Sequence, residues 1–215
     1  TGGTLTFKVT PKLVSLSTTS GIRGSTVTIT GTTFTGASAV KFNGIAATYT
    51  VDNDSQITAT VPPTATTGNL QITGPGGTSN TLAFTVILPP TTSGFVPASA
   101  TVGTSITVNG ANLSTSSKVT FAGAVDATPT NLAAGSLKVV VPAGAQTGPL
   151  VVTNPAGTGG TLVFKVVPKL VSLSTTSGVR GSTVALTGTT FTGATAVRFN
   201  GVSATYTVDN DSQIT

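Results

Sequence analysis

Residues 24–44 read GSTVTITGTTFTGASAVKFNG, and this stretch decides the fold. Val27 and Ile29 alternate with threonine, and Val40 and Phe42 flank a single lysine. An alternation with a period of two is typical of a β-strand that turns one face to a core and the other to water. The stretch therefore predicts two amphipathic strands.

Turn signals and composition extend this prediction to the whole chain. Asn-Gly between apolar alternations is the strongest short-range signal for a β-hairpin, and it occurs at Asn43-Gly44 and again at Asn200-Gly201. Threonine is more frequent than any other residue, with 47 copies against 26 glycines. Branched side chains suit a pleated sheet, so we expect an all-β protein.

The deciding stretch belongs to an internal repeat. The 58 residues from Thr1 recur from Thr158 with nine differences, which gives a period of 157 residues. Within that period, residues 24–44 align with residues 103–123 at an offset of 79. A recurring unit of this length predicts one domain per unit, with two diverged units in each period.

Each unit is predicted to contain seven strands, which favours an immunoglobulin-like sandwich. Phe121 and Phe199 are expected to match Phe42 on the third strand. The inward residues predicted for the first unit are Val14 and Leu16; Val27 and Ile29; Val40 and Phe42; Tyr49 and Val51; Ile57, Ala59 and Val61; Leu70 and Ile72; and Leu82, Phe84 and Val86.

The repeat boundaries predict four segments. Residues 1–10 are expected to form the last strand of a preceding domain, residues 11–88 and 89–167 two whole domains, and residues 168–215 an incomplete one. An incomplete sandwich is expected to expose apolar residues such as Val197 and Phe199. The sequence is therefore expected to be a window from a longer array of 157-residue pairs, arranged as a rod.

Several motifs resemble the IPT/TIG family of immunoglobulin-like domains, which takes its name from plexins and transcription factors. The motifs are Pro11, Ser20-Gly21, Gly24, the TITGTTF run ending at Phe34, VKFNG, VPPTATTG and GPGGTSNTLAF, followed in the middle unit by VTFAG, VPAGAQTG and NPAGT. The resemblance implies compact seven-stranded sandwiches, often in tandem in extracellular and bacterial surface proteins. It implies no particular activity, because the family includes receptors, transcription factors, enzyme appendages and surface fibres.

The composition excludes most active-site chemistry. The chain has no His and no Cys, and charged residues make up 7% of it, against about 25% in an average globular protein. Without His or Cys there is no Ser-His-Asp triad, no cysteine nucleophile and no zinc or haem site of the usual kinds. We therefore expect a protein that is not an enzyme, with no catalytic, cofactor-binding or metal residues and no cofactor.

Asp52 and Asp54 are two carboxylates close together in the sequence, and such a pair occurs only here and in the repeat of this segment. Such a pair is compatible with acid–base work or with part of a calcium site, but calcium takes six to eight oxygens, and two Asp with Asn53 supply few. The favoured interpretation is an Asx-type turn before a strand. The pair recurs as Asp209 and Asp211, whereas the middle unit has Leu132 and Ala134 at these positions.

The basic residues suggest two roles, an internal cross-link and nucleic-acid binding, and the sequence favours neither. Lys41 and Lys8 each lie between apolar residues and are expected to point outward, and no buried acid is evident that could assist a Lys–Asn cross-link. The net charge of +5 invites nucleic acid. However, the densest basic set is only Lys12, Arg23 and Lys41, without interleaved aromatic residues, so no nucleic-acid partner is predicted.

Two further features have competing interpretations. Tyr49 and Tyr206 are compatible with sugar-stacking platforms, but their register with neighbouring valines favours core or edge packing. The Pro-rich joint from Ile87 to Pro97 is compatible with a hinge, but proline restricts the backbone, so a semi-rigid spacer is favoured.

The sequence predicts a structural segment of a long repetitive extracellular or cell-surface protein, such as a fibre, stalk or adhesin shaft. It is expected to act as a spacer or to assemble into filaments with neighbouring repeat domains of the same or identical chains. The alternative is a carbohydrate-binding or other ligand-binding accessory module of a secreted enzyme or adhesin. No apolar run of 18 residues is present, so no transmembrane segment is expected.

Overall fold

The computed structural model describes residues 7–160 and 162–215 and divides after Leu88 into two compact units. The structure is all-β, since strands are the regular elements throughout the described residues. None of the described segments forms a helix with the length and apolar character needed to cross a membrane. The all-β prediction is confirmed.

The first unit is a sandwich of two sheets. One sheet has the order β1-β3-β7-β6, and the other has the order β2-β10-β8-β4-β5 with β9 beside β8. The strands are β1 (Lys12–Leu16), β2 (Ser20–Ile22), β3 (Thr26–Thr32), β4 (Ala39–Phe42), β5 (Ile45–Ala46), β6 (Tyr49–Asn53), β7 (Gln56–Thr60), β8 (Gly68–Gly74), β9 (Gly77–Thr78) and β10 (Leu82–Ile87).

The seven predicted strands of this unit are confirmed as β1, β3, β4, β6, β7, β8 and β10. Their inward residues fill the space between the sheets, and a buried side chain of this size stabilises the fold by about 1.5–3 kcal/mol. Phe42 and Phe84 meet edge to face, with ring centres 5.0 Å apart. The buried apolar residues are Leu13, Val27, Ile29, Phe34, Val40, Phe42, Ile57, Ala59, Val61, Ala65, Leu70, Ile72, Phe84 and Val86.

Strand β1 departs from the predicted alternation. Val14 is 59% exposed, and Leu13 is the buried residue. The ladder between β1 and β3 shifts register between Leu13 and Ser15, and such a β-bulge exchanges the two faces of a strand. The prediction that Val14 faces the core is therefore wrong, although Leu16 does pack against the core.

The Asn-Gly hairpins are confirmed. Asn43 and Gly44 both have positive φ, 46° and 83°, and join β4 to β5 in a two-residue turn. Asn200 and Gly201 repeat these angles. Asparagine tolerates the left-handed region and glycine enters it without steric cost, so this sequence suits the turn.

The second unit begins with a sandwich of the same design. Its sheets have the orders β11-β13-β16 and β12-β19-β17-β14-β15, with β18 beside β17. Phe121 and Phe164 lie in its core. The strands are β11 (Thr91–Val96), β12 (Ser99–Ala100), β13 (Ser105–Ala111), β14 (Lys118–Ala122), β15 (Val125–Ala127), β16 (Ser136–Val140), β17 (Gln146–Asn154), β18 (Gly157–Gly159) and β19 (Val163–Val166).

Residues 168–215 form one four-stranded sheet, β20-β21-β25-β24, and one pair, β22-β23. Phe199 is 47% exposed and Val197 is half-buried, as the sequence predicts for a unit without its later strands. The strands are β20 (Lys169–Leu173), β21 (Leu186–Thr189), β22 (Val197–Phe199), β23 (Val202–Ala204), β24 (Val208–Asn210) and β25 (Gln213–Ile214).

The strand expected at the start of the chain falls largely on residues 1–6, which lie outside the described residues. Residues 7–10 form no strand, and Phe7 is 91% exposed.

Candidate functional site

The carboxylate pair of the first unit lies around the turn between β6 and β7. Asn53 Oδ1 accepts hydrogen bonds from the Ser55 amide at 2.9 Å and the Ser55 hydroxyl at 2.8 Å, which is an Asx turn. Asp52 Oδ2 accepts from the Thr58 hydroxyl at 2.8 Å and from the Gln56 side-chain amide at 3.2 Å. The turn interpretation of this segment is confirmed.

Asp54 does more than the sequence indicates, because it holds a second loop. Its Oδ1 accepts from the Thr35 amide at 3.0 Å and its Oδ2 from the Thr33 amide at 3.3 Å. Its backbone carbonyl accepts from the Phe34 amide at 3.0 Å. Thr33 has a φ of 63°, an unfavourable region for a β-branched residue. The carboxylate thus stabilises a strained loop after β3.

The same hydrogen bonds lower the pKa of Asp54. The Thr35 hydroxyl and amide, and then the Thr33 amide, hold the pKa of this exposed carboxyl below its ordinary value. A carboxyl that acts as a general acid near neutral pH needs a raised pKa. Asp54 therefore has the properties of a structural anion.

The near-identical copy in residues 168–215 keeps most of these hydrogen bonds. Asp211 Oδ1 accepts from the Thr192 amide at 3.2 Å, and Asp209 Oδ2 accepts from the Thr215 hydroxyl at 2.7 Å. Asn210 accepts from the amide and the hydroxyl of the residue two positions later, as in the first copy. The same local sequence thus forms the same turn in both copies.

The middle unit forms the same loop with a different residue at the left-handed position. Asn112 replaces Thr33 and has a φ of 58°. Asparagine is enriched in the left-handed region, so the loop keeps its shape although Ala134 stands where Asp54 stands in the first unit. Only the backbone bond is kept, from the Leu113 amide to the Ala134 carbonyl at 3.2 Å.

A calcium site needs more oxygen ligands than these pairs bring together. Across residues 7–160 and 162–215, no cluster of three or more Asp, Glu, His or Cys side chains has the geometry to hold a metal ion. The Asp oxygens instead accept the amide and hydroxyl hydrogen bonds described above.

Comparison with known proteins identifies the family. A family model for the IPT/TIG domain matches residues 11–86 and residues 90–166. The chain belongs to the IPT/TIG domain family. We refer to these two matched regions as the first and second IPT/TIG domains.

Several solved structures resemble the chain at low identity. A protein crystallised with xylogluco-oligosaccharide is 21% identical with a TM-score of 0.42, covering 96% of this chain and 54% of its own. The SGBP-B protein of a xyloglucan utilisation locus in Bacteroides uniformis is 20% identical (TM-score 0.37; 83% and 61% covered). The extracellular region of plexin A4 is 22% identical (TM-score 0.45; 97% and 21% covered). The chain thus spans less than two thirds of each of these structures.

Comparison with curated proteins returned no match.

The basic residues of the first IPT/TIG domain are spread over both sheets. Lys12 lies on β1 and Lys41 on β4, and both are exposed, which confirms the outward direction predicted for Lys41. Arg23 Nε donates to the carbonyl of Ala65 at 3.1 Å, so its guanidinium supports a loop.

The second IPT/TIG domain contains an ion pair that no sequence motif indicates. Lys118 Nζ lies 3.1 Å from Asp126 Oδ2, across the hairpin of β14 and β15. The Thr120 hydroxyl, 2.7 Å from Asp126 Oδ1, and then Lys118 hold the pKa of Asp126 below its ordinary value. Both side chains of the pair are about half exposed, and exposed pairs of this kind contribute little to stability.

The tyrosines support the fold. The Tyr49 hydroxyl donates to the carbonyl of Ala37 at 2.9 Å, and Tyr206 repeats the bond with Ala194 at 2.8 Å. Tyr49 is half-buried against the core, so the packing interpretation is confirmed. Every other aromatic ring in residues 11–160 and 162–167 is likewise buried or half-buried.

The joint after β10 is held by the second IPT/TIG domain. Asn112 Nδ2 donates to the carbonyl of Pro89 at 3.0 Å. Gly159 packs so closely on the Pro90 carbonyl that a Cβ atom would overlap it. Two residues of the predicted spacer, Pro89 and Pro90, are therefore fixed to the second domain.

Proposed function

We propose that the chain is a structural spacer segment of a repetitive extracellular or cell-surface protein, and that it has no enzymatic activity. One observation carries the proposal: the carboxylate and phenol side chains that could take part in chemistry or binding instead hold the loops of the fold through hydrogen bonds. Asp54 holds the Thr33 loop, and Tyr49 holds the loop at Ala37. The bond between the Thr35 amide and Asp54 recurs between the Thr192 amide and Asp211, and the tyrosine bond recurs at Tyr206.

The repetition itself supports this role. A spacer needs a repeated domain and a repeated joint, whereas a binding site needs one distinctive surface. The 58-residue copies differ at nine positions, and the substitutions preserve the hydrogen bonds of the turn after β6.

The composition of the surface also fits a spacer. With charged residues at 7% and threonine the most frequent residue, the outward faces of the sheets carry neutral hydroxyl groups. Thr28, Thr58 and Thr50 lie side by side across β3, β7 and β6. The proposed partners are neighbouring repeat domains of the same or identical chains, and lateral assembly of such chains would give a filament.

A glycan array tests this proposal against its main alternative, the carbohydrate-binding module. Sugar stacking needs an accessible aromatic face, whereas the aromatic rings of the two IPT/TIG domains are buried or half-buried. The exposed rings, Phe7 and Phe199, lie outside these domains. We expect the full chain to bind no glycan above a non-binding immunoglobulin-like control. Consistent binding of one glycan class would overturn the spacer role and establish the module.

A further inference from the structure

In each IPT/TIG domain, the short second strand lies beside the last strand and runs parallel to it. In the first domain, Ser20 of β2 lies opposite Thr85 of β10. In the second domain, Ser99 of β12 lies opposite Lys165 of β19. When two parallel terminal strands are pulled from opposite ends of a domain, they slide past each other, and their evenly spaced hydrogen bonds are loaded together.

Side-chain hydrogen bonds also join the start of the domain to its end. Asn80, two residues before β10, binds both backbone groups of Leu13 in β1. Its Oδ1 accepts from the Leu13 amide at 2.8 Å, and its Nδ2 donates to the Leu13 carbonyl at 3.1 Å. The first strand is thus tied to the segment that leads into the last one.

The last strand has a second fastening that both domains share. The Val86 amide donates to Thr67 Oγ1 at 3.0 Å, and the Thr67 hydroxyl reaches the Val86 carbonyl at 3.5 Å. In the second domain, Thr147 makes the same two bonds with Val166, at 3.0 and 3.1 Å. On one side, Val86 and Val166 lie beyond the register with β8 and β17, so these threonine bonds fasten a part of the last strand that those strands do not pair with. On the other side, Val86 lies opposite Gly21 of β2 and Val166 opposite Ala100 of β12.

We propose that this arrangement is a load-bearing clamp that keeps each domain folded when the chain is under tension. The terminal clamp consists of β2, β10, Asn80 and Thr67 in the first domain and of β12, β19 and Thr147 in the second. The inference rests on the proposed spacer role, because a surface spacer carries tension between its ends. The force measurement needs no partner, so its outcome is separate from that of the glycan array.

The clamps of the two domains differ in strength. β2 spans three residues, whereas β12 spans two. The position of Asn80 is occupied by Gly160 in the second domain, so the side-chain tie to the first strand is absent there. Thr92, which replaces Leu13, has a buried hydroxyl without a hydrogen-bond partner. The second domain is therefore expected to yield at a lower force than the first.

Single-molecule pulling of the full chain through its two ends tests the clamp. Unfolding of either domain lengthens the chain by roughly 250 Å, given an extended length of about 3.3–3.6 Å per residue. We expect two events of this length at unequal forces. Two events at the same force, or the reverse assignment of the events to the domains, would overturn the inference.

A disulfide assigns the events. The chain has no cysteine, so Ser20→Cys with Thr85→Cys forms one defined bond between adjacent strands, whose spacing of about 4.8 Å suits a disulfide. When oxidised, this variant is expected to lose the higher-force event, and reduction is expected to restore it. Loss of the lower-force event instead would contradict the order of clamp strength.

Two single substitutions in the first domain separate the clamp from general stability. Asn80→Gly copies the second domain and is expected to lower the higher unfolding force towards that of the second domain. Tyr49→Phe, the matched control, removes a hydrogen bond far from the terminal strands and is expected to lower thermal stability without changing the force. Equal losses of force in both variants would overturn the clamp.

Discussion

Residues 11–58 and 168–215 have nearly the same sequence but not the same burial. Leu13 is 2% exposed, whereas its counterpart Leu170 is 53% exposed, and Phe42 is 1% exposed, whereas Phe199 is 47% exposed. The difference cannot come from the residues themselves, since the local sequences match.

Residues 168–215 reproduce one sheet of the sandwich and not the other. The sheet β20-β21-β25-β24 repeats the order of β1-β3-β7-β6. It even repeats the bulge of β1, between Leu170 and Ser172. In the other sheet, β4 needs β8 as a neighbour and β2 needs β10. Without these partners, β22 pairs with β23 alone, and the counterpart of β2 forms no strand. One sheet is thus specified within 48 residues, and the other requires residues that follow them.

The largest expected effect tests the burial difference directly. Phe42→Ala is expected to destabilise the first domain by about 3–5 kcal/mol, as for a buried phenylalanine. In a chain of these 215 residues, Phe199→Ala, at the exposed counterpart, is expected to change stability by about 0.5 kcal/mol or less. Hydrogen exchange of the full chain in denaturant, resolved by peptide mass spectrometry, measures each region separately.

Thr28→Ala is the control for this pair, because Thr28 lies on the outer face of β3. If Phe42→Ala left exchange unchanged while Thr28→Ala accelerated it, the inside and outside faces would be reversed.

A smaller effect tests what the two regions share. Tyr49→Phe and Tyr206→Phe each remove one hydrogen bond between a tyrosine hydroxyl and a backbone carbonyl. Each is expected to cost about 1 kcal/mol, measured by the same exchange experiment. A loss confined to Tyr49→Phe would show that the bond at Tyr206 depends on the absent strands.

The next effect concerns pH and the loop at Thr33. The folded-state pKa of Asp54 lies below its ordinary value of 3.8. Its stabilisation is therefore complete above that value and is lost as the pH falls through the folded-state pKa. Acidification from neutral pH to about pH 3 is expected to lower the melting temperature of the first domain more in the wild type than in Asp54→Asn.

The second domain supplies the matched rescue for this prediction. Asp54→Ala is expected to destabilise the first domain. Adding Thr33→Asn, which copies Asn112, is expected to recover stability because asparagine tolerates the left-handed backbone. A double variant no more stable than Asp54→Ala would contradict the explanation of this loop.

The last prediction is that metal ions have no effect on stability. Calcium or a chelator is expected to leave the melting temperature unchanged, because the Asp oxygens are engaged by amide and hydroxyl donors. A rise of several degrees in the melting temperature with calcium, abolished by Asp54→Ala, would show that the carboxylates bind calcium and would contradict a purely structural role.

Local patterns allowed most of the fold to be predicted, and non-local bonds account for what was missed. The alternation of Val27 with Ile29 and of Val40 with Phe42 is visible in the sequence because neighbouring residues share one strand. Strand β2 escaped prediction because three residues become a strand only when β10 lies beside them. The inward direction of Leu13 escaped it because a bulge leaves no mark in the alternation.

The candidate site shows the same division. The Asx turn at Asn53 joins residues two apart, so composition alone indicates it. The bond from Thr33 to Asp54 joins residues 21 apart, and the positive φ of Thr33 is unusual for a branched residue. Comparison with Asn112 in the second unit was the available signal, since asparagine there indicates a left-handed position.

The alternation of two unlike domains has a consequence for synthesis. Adjacent domains with the same sequence can exchange strands as they emerge and fold, which is a characteristic misassembly of repeat proteins. Here the near-identical copies are 157 residues apart, with a different domain between them. The hairpin after Phe42 closes with two residues, whereas the hairpin after Phe121 closes with three. A strand from one domain is therefore expected to fit the other poorly, which disfavours exchange between neighbours.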